Sequence, residues 1–421
     1  MKCNILLLIL VLQCFTLSCS RSEEQFDSLP LDDKFLVSMP EPASSINEVE
    51  LTEPQKNLVS AHNRMGFNLL EASYKDKGCV ISPLSIYLAL AMVLNSADGK
   101  TADQITNVLG GSITEINTLS SALLSQLPAV DLKTKAHICN AVIVNDSFKL
   151  KDSYKELIES VYYAPVEKLP FDNTDFVLKT VNGWCDRATE GMIPRILYNV
   201  DSQTMAYILS ALFFKASWTE PIRHQQVFPF DGGQHLQYLC GSGKILYGSF
   251  DSFDAIAKDY GANGQYKFYL LLPKQNKCVK EVLSTLTSTD WCRIASGLTA
   301  KSLSFAFPKI NIESHLSLKN QLEDLGVVDA FSSKADFSKM FENDWSFISD
   351  IIHKAVLEVD KNGSKGAAVT AIQMDGAPML KENSFEFFAN RPFVFVISES
   401  SSNTLLFSGV FDGKGGEEAM I

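Results

Sequence analysis

The chain lacks the short motifs that announce an enzyme. Its 421 residues contain no G-x-S-x-G, no H-E-x-x-H and no G-x-G-x-x-G, which excludes the usual nucleophile elbow, zinc helix and dinucleotide loop. Asp98-Gly99-Lys100-Thr101 resembles the end of a phosphate loop, but Leu94 stands where the upstream glycine is needed. Cys240-Gly241-Ser242-Gly243 holds the residues of a cysteine-protease signature in the wrong order. Histidine is scarce, six in all, and no two are spaced i, i+4 as ligands on a helix. Each therefore reads as a surface or hydrogen-bonded structural residue, and neither a metal centre nor a cofactor is expected. No C-x-x-C occurs. Positive charge is in deficit: 37 Lys+Arg against 49 Asp+Glu give a net charge of −12, a surface that repels phosphate backbones and excludes nucleic acid as a partner. With Gly 23, Pro 15 and 46% hydrophobic residues, collagen-like and wholly disordered chains are excluded, and there is apolar mass for a real core.

What is present begins with a leader. Lys2 precedes an uninterrupted apolar run from Ile5 to Leu12; even extended to Leu17 it is too short to cross a bilayer as a helix, so residues 1–18 read as a secretory signal peptide and the protein as exported. Thr16-Leu17-Ser18-Cys19-Ser20 places small residues around a cysteine. That resembles the lipobox of bacterial lipoproteins, with Thr16 where leucine is usual, and makes Cys19 the candidate lipidation site of a cell-envelope lipoprotein; a plain secreted form is the alternative. From residue 20 to 50 acidic side chains outnumber the two basic ones, Arg21 and Lys34, and Pro30, Pro40 and Pro42 interrupt the chain. This stretch reads as a disordered acidic tether ahead of a single folded domain over 51–421. The six remaining cysteines (Cys79, Cys139, Cys185, Cys240, Cys278 and Cys292) read as free buried thiols; an oxidising compartment would permit pairing, and the sequence singles out none of the 15 possible connectivities.

The body shows neither linker nor repeat. Helices are predicted over 55–72, over 85–95 behind Ser82 and Pro83, and over 179–189, closed by Gly191. Strands are predicted over 206–214, 266–272, 302–307, 355–359, 392–397 and 404–410, runs rich in β-branched and aromatic residues between turn formers. Helices first and strands later, without βαβ alternation, read as α+β. Near the C-terminus, Ser364, Gly366, Ala368, Thr370, Ile372 and Met374 share one parity, with Lys365, Ala367, Val369, Ala371, Gln373 and Asp375 on the other. A period of two means a strand with one face fit for burial. Its inward side chains are small enough to slide into a crowded sheet, yet too small to force the segment to fold as an ordinary strand.

The neighbouring blocks resemble the serpin family across residues 52–414. Val80-Ile81-Ser82-Pro83-Leu84-Ser85-Ile86 with Leu88, Met92, Asn95, Gly99 and Thr101 is similar to the second-helix block; Asn182, Trp184, Thr189, Gly191 and Ile193 match the helix lying over the large sheet. Phe213-Phe214-Lys215-Ala216-Ser217-Trp218 matches the strand leading into the breach of that sheet. Phe307-Pro308-Lys309, Leu325-Gly326, Ala335-Asp336-Phe337-Ser338, His353-Lys354-Ala355-Val356-Leu357-Glu358-Val359, Arg391-Pro392-Phe393 and Leu406-Phe407-Ser408-Gly409 follow in family order.

The resemblance implies three β-sheets, eight or nine helices and an exposed reactive-centre loop at about 361–385. It also implies a monomeric suicide-substrate inhibitor of serine proteases, with papain-like cysteine proteases as a further class, rather than an enzyme; a non-inhibitory binding or carrier serpin is the alternative. Gly363, Ser364, Gly366, Ala367, Ala368 and Thr370 fit the small-residue hinge of inhibitory members, with Lys361, Asn362 and Lys365 departing where acidic residues are common. Counting from Gly363 puts the reactive bond at Ala377-Pro378; because proline after the bond obstructs most serine proteases, Met379, Leu380 and Lys381 are candidates too. Ser82, Ser85 and His353 match the family's shutter cluster, in which Ser210 replaces the usual asparagine, so an altered network is expected. Trp218 is expected at the breach.

Overall fold

Ser82 and Pro83 open a helix so uniformly apolar that 13 of its residues are buried, and this helix becomes the axis around which the sheets are laid. The computed structural model describes residues 44–231, 233–342, 348, 350–364 and 381–414. Among them the helices are α1 (Glu53–Ser73), α2 (Pro83–Ser96), α3 (Gly99–Leu109), α4 (Ile113–Gln126), α5 (Asp152–Tyr162), α6 (Thr174–Ala188), α7 (Val279–Ser288), α8 (Trp291–Ser296) and α9 (Lys319–Asp324). The strands are β1 (Cys79–Ile81), β2 (Lys135–Asn145), β3 (Val166–Leu169), β4 (Ala206–Ser217), β5 (His224–Phe230), β6 (Gln234–Ser249), β7 (Phe253–Tyr260), β8 (Tyr266–Pro273), β9 (Thr299–Pro308), β10 (Ile310–Ser317), β11 (Ile352–Asp360), β12 (Gly363–Ser364), β13 (Phe387–Phe388), β14 (Phe393–Glu399) and β15 (Leu405–Phe411). The helices predicted over 55–72, 85–95 and 179–189 and the strands predicted from 206–214 to 404–410 lie on these elements; of the period-two stretch from Ser364 onward only Ser364 is among the described residues.

The strands form two continuous ladders. One has the order β10-β11-β12-β4-β2-β3; the other runs β1-β15-β14-β8-β7-β6-β9-β13, with β5 also on β6. Two of the three expected sheets share β6: its first half pairs with β5 and its last residues with β7, while β9 spans the junction. α2 packs between the ladders, against β4 and β15.

The six-stranded sheet is buried on both faces at β2 and β4, and on one face only at β10 and β11. One parity of β2 and β4 (Ile138, Val142, Leu212, Phe214) enters the main core. The other (Ala141, Ile143, Leu209, Ala211) meets Val181, Trp184 and Cys185 of α6. Such two-sided burial explains why β2 escaped a period-two reading: its side chains are apolar on both parities.

Two expectations need correction. The tether does not reach residue 50: the Ile46 N–H donates to the Ala129 carbonyl at 2.9 Å, and Val49 is buried in the core. The cysteines are not uniformly buried either. Cys79, Cys185 and Cys240 are buried and Cys139 is half-buried, but Cys278 and Cys292 are exposed, because they sit at the surface starts of α7 and α8. All six are free thiols. No helix among the described residues is long and apolar enough to cross a membrane. The signal peptide and Cys19 lie outside the described residues.

Candidate functional site: the opening of the six-stranded sheet

Asp360-Lys361-Asn362-Gly363 is a turn by composition, and it turns the chain back between β11 and β4. The Asp360 carboxylate accepts the N–H groups of Asn362 (2.6 Å) and Gly363 (3.1 Å), the Asx-type closure that its side chain permits. β12 then pairs antiparallel on both sides. Gly363 lies opposite Asp360 and Ser217, and Ser364 opposite Val359 and Ala216. Gly363 has φ +145°, and a Cβ there would strike the Ala216 carbonyl, so only glycine fits.

Ser364 is buried, and its hydroxyl shares a 2.5 Å hydrogen bond with the Tyr260 hydroxyl. Burial holds Tyr260 far above the usual phenol range, opposed by that bond to Ser364, so it stays neutral. Trp218 stacks on Tyr260, with centroids 4.2 Å apart and planes 7° from parallel. Its indole N–H donates to the Asp360 carbonyl at 2.9 Å, and its backbone N–H to the Asn362 carbonyl at 2.9 Å. The Lys258 ammonium lies 5.5 Å over the Trp218 ring; burial draws its pKa down against the pull of Glu220 and Asp259. The turn and β12 are thus held from the backbone and from an aromatic stack.

From Lys381 the described chain lies on the other ladder. Lys381 is exposed and begins a short turn over Glu382–Ser384. Phe387 and Phe388 pair parallel with β9, and Phe385 and Phe388 join Phe228 in a cluster with centroids 5.3–5.7 Å apart. Gly366, Ala367, Ala368, Thr370, Ala377, Pro378, Met379 and Leu380 lie outside the described residues.

Beneath the sheet the Ser82 N–H donates to His353 Nε2 at 3.0 Å, and the Ser82 hydroxyl bonds that of Ser85 at 3.1 Å. The Ser210 hydroxyl is shielded and has no hydrogen-bond partner. Asn140, directly opposite it on β2, carries an amide on the same face but donates to the Tyr162 carbonyl at 3.1 Å. The Ser210 hydroxyl thus makes no bond to the cluster, and the neighbouring amide is engaged elsewhere.

A family model described as "Serpin (serine protease inhibitor)" matches residues 60–412. The chain belongs to the serpin family. Among curated relatives, Iripin-1 of Ixodes ricinus is 28% identical over 369 residues, covering 84% of this chain and 93% of the relative. Ipis-1 of Ixodes persulcatus is 30% identical over 359 residues, covering 82% and 94%. Among solved structures, the thermophilic serpin Tengpin in its native state has a TM-score of 0.75 at 29% identity, covering 88% of this chain and 97% of that one.

Within the serpin fold the structure brings Gly363, Ser364 and Trp218 to one place and Ser82, Ser85 and His353 to another, while the Ser210 hydroxyl makes no hydrogen bond. Sequence reasoning missed two members of the first group. Asp360 carried a signal, as the start of an Asp-x-Asn-Gly turn. Tyr260 carried none, since nothing local marks a tyrosine 104 residues from its partner.

The shutter makes the fold acid-sensitive. His353 is buried, and burial, helped by the charge of nearby His315, lowers its pKa from 6.5 to about 4. His62 is buried between α1 and α2, and burial lowers it likewise to about 4 against its bond to Asn63. Because the folded pKa lies below the unfolded one, stability is full above about pH 6.5, falls as pH drops towards 4, and levels off below. At 1.36 kcal/mol per pH unit each histidine contributes a loss of about 3 kcal/mol. Protonated His353 would also present a donor to the Ser82 N–H. Denaturant midpoints measured from pH 7 to 4 should fall accordingly, and His353→Gln should flatten about half of the slope; an unchanged slope would refute the assignment.

Proposed function

We propose that this serpin is a suicide-substrate inhibitor of serine proteases: the cleaved reactive-centre loop enters the six-stranded sheet between β4 and β11 and strands the protease as an acyl-enzyme. The observation that supports this reading most is β12. Its two residues already occupy that gap, and the residues that follow it in sequence alternate with small side chains. About 15 inserted residues at ~3.3 Å each would move a bound protease on the order of 50 Å. New ladder hydrogen bonds, at roughly 0.5–1.5 kcal/mol net apiece, supply the driving force. Serpins are generally inhibitors rather than enzymes.

Incubation with a panel of trypsin-like, chymotrypsin-like, elastase-like, subtilisin-like and papain-like proteases tests the proposal. An SDS-stable covalent complex with at least one of them is expected. Cleavage without a complex would establish the carrier alternative instead.

The reactive bond belongs to the same reading. Proline at 378 disfavours cleavage at Ala377-Pro378, so the main cut is assigned after Met379 or Leu380, with Lys381 as a secondary site for trypsin-like enzymes. The mass of the C-terminal peptide released from complexes checks this; a peptide beginning at Pro378 would overturn the assignment. We hold the exported, Cys19-lipidated form as part of the same proposal; mass analysis of the mature N-terminus tests it, and an unmodified Cys19 would reject it.

A further inference from the structure

Insertion requires β2 and β4 to part from β10 and β11, and a short arm ahead of α1 is placed to resist that movement. The arm is bound at three residues, Ile46, Val49 and Glu50. The Ile46 N–H donates to the Ala129 carbonyl at 2.9 Å. The Val49 N–H donates to Ser401 Oγ at 2.8 Å. The Glu50 N–H donates to Gln126 Oε1 at 2.7 Å, while Gln126 Nε2 returns a bond to the Glu50 carbonyl at 3.1 Å. Between these bonds Val49 is only 6% exposed and is part of the main core.

These contacts join two bodies. Gln126 and Ala129 end α4 and begin the turn that leads into β2, so they travel with the half of the sheet that must shift. Ser401 lies in the hairpin turn between β14 and β15, both strands of the other ladder. That turn is itself rigid: Glu399 accepts the N–H and hydroxyl of both Ser401 and Ser402 at 2.5–2.8 Å.

The turn into β2 also reaches the sheet opening. Asp131 accepts the Ala262 N–H at 3.2 Å. The adjacent Gly261 N–H donates to the Ser217 carbonyl at 2.8 Å, and Ser217 is the residue opposite Gly363. A displacement of β2 at its first residue is therefore opposed at the arm and felt at the hinge.

We propose that residues 46–50 are a brace that fastens the movable half of the six-stranded sheet to the static body and slows insertion of the intact loop. The brace rests on the insertion reading given above. It is tested with full-length protein carrying Val49→Asp, which places a carboxylate in the core, and separately Gln126→Ala, which removes both bonds to Glu50 without touching the core. Intact protein is held at 37 °C. At intervals a subtilisin-like protease is added briefly, and the fraction whose loop is still cut is read from release of the C-terminal peptide.

Val49→Asp should lose its cleavable loop at least tenfold faster than wild type, and Gln126→Ala about threefold faster, with the uncut fraction melting above the starting material. Variants that merely melt lower while their loops stay cleavable at the wild-type rate would overturn the brace. If Val49→Asp does not fold, Gln126→Ala decides alone. Nicked wild type provides the separate check on insertion: a raised Tm with unaltered variants rejects the brace only, whereas an unchanged Tm rejects insertion and the brace with it.

Discussion

Ser364→Arg should convert the protein from an inhibitor into a substrate, raising the stoichiometry of inhibition at least about tenfold. Ser364 is 1% exposed, between Ala216 and Val359, with its hydroxyl on Tyr260. A guanidinium cannot occupy that place without burying an unpaired charge, at a cost of several kcal/mol. Trapping is a race between insertion and deacylation, and each 1.4 kcal/mol added to the insertion barrier shifts the race about tenfold. Deacylation should therefore win, leaving a cut loop and free protease. SDS gels of variant and wild type with the same protease check this. Ser364→Ala, which keeps the volume small, should continue to trap; an Arg variant that retained the wild-type stoichiometry would refute the hinge.

Nicking the loop of the wild-type protein should raise its Tm by on the order of 20 °C. About 15 newly paired strand residues at roughly 1 kcal/mol each give of order 10 kcal/mol or more, and for a chain of this size 1 kcal/mol corresponds to roughly 2 °C. The new strand would take its ladder from β4 and β11, whose core-facing side chains (Leu212 and Phe214; Ala355, Leu357 and Val359) are already buried. Calorimetry before and after limited proteolysis measures it. A melting temperature that stays put after complete cleavage would mean the gap does not accept the loop, and would favour a binding or carrier role.

Much of the fold was legible from local pattern. The runs at 206–214, 355–359 and 404–410 are strands because β-branched and aromatic residues stand between turn formers, and those elements are β4, β11 and β15. Ser82 ahead of Pro83 reads as a cap, and its hydroxyl does accept the Ser85 N–H at 3.4 Å. β2 was not legible, because a strand buried on both faces loses the alternation that reveals strands. The tether was drawn too long for a related reason. Ile46, Val49 and Leu51 are three apolar residues in an acidic stretch, too few to predict folding by themselves, and they are ordered only because a groove made by α4 and a distant hairpin receives them.

The sequence by itself determined local geometry: which side chains of β4 and of β11 share a face, the turn at Asp360 to Gly363, and the cap that starts α2. Those are properties of bond geometry over a few residues. What stands opposite each face was decided only by tertiary structure. Ser364 meets Tyr260 across 104 residues, and Val49 meets Ser401 across 352. Ser210 lies next to Asn140, whose amide turns away to Tyr162. Such pairings arise from how two sheets and a buried helix fill space together, and close packing leaves a marker of its outcome in neither partner's local sequence.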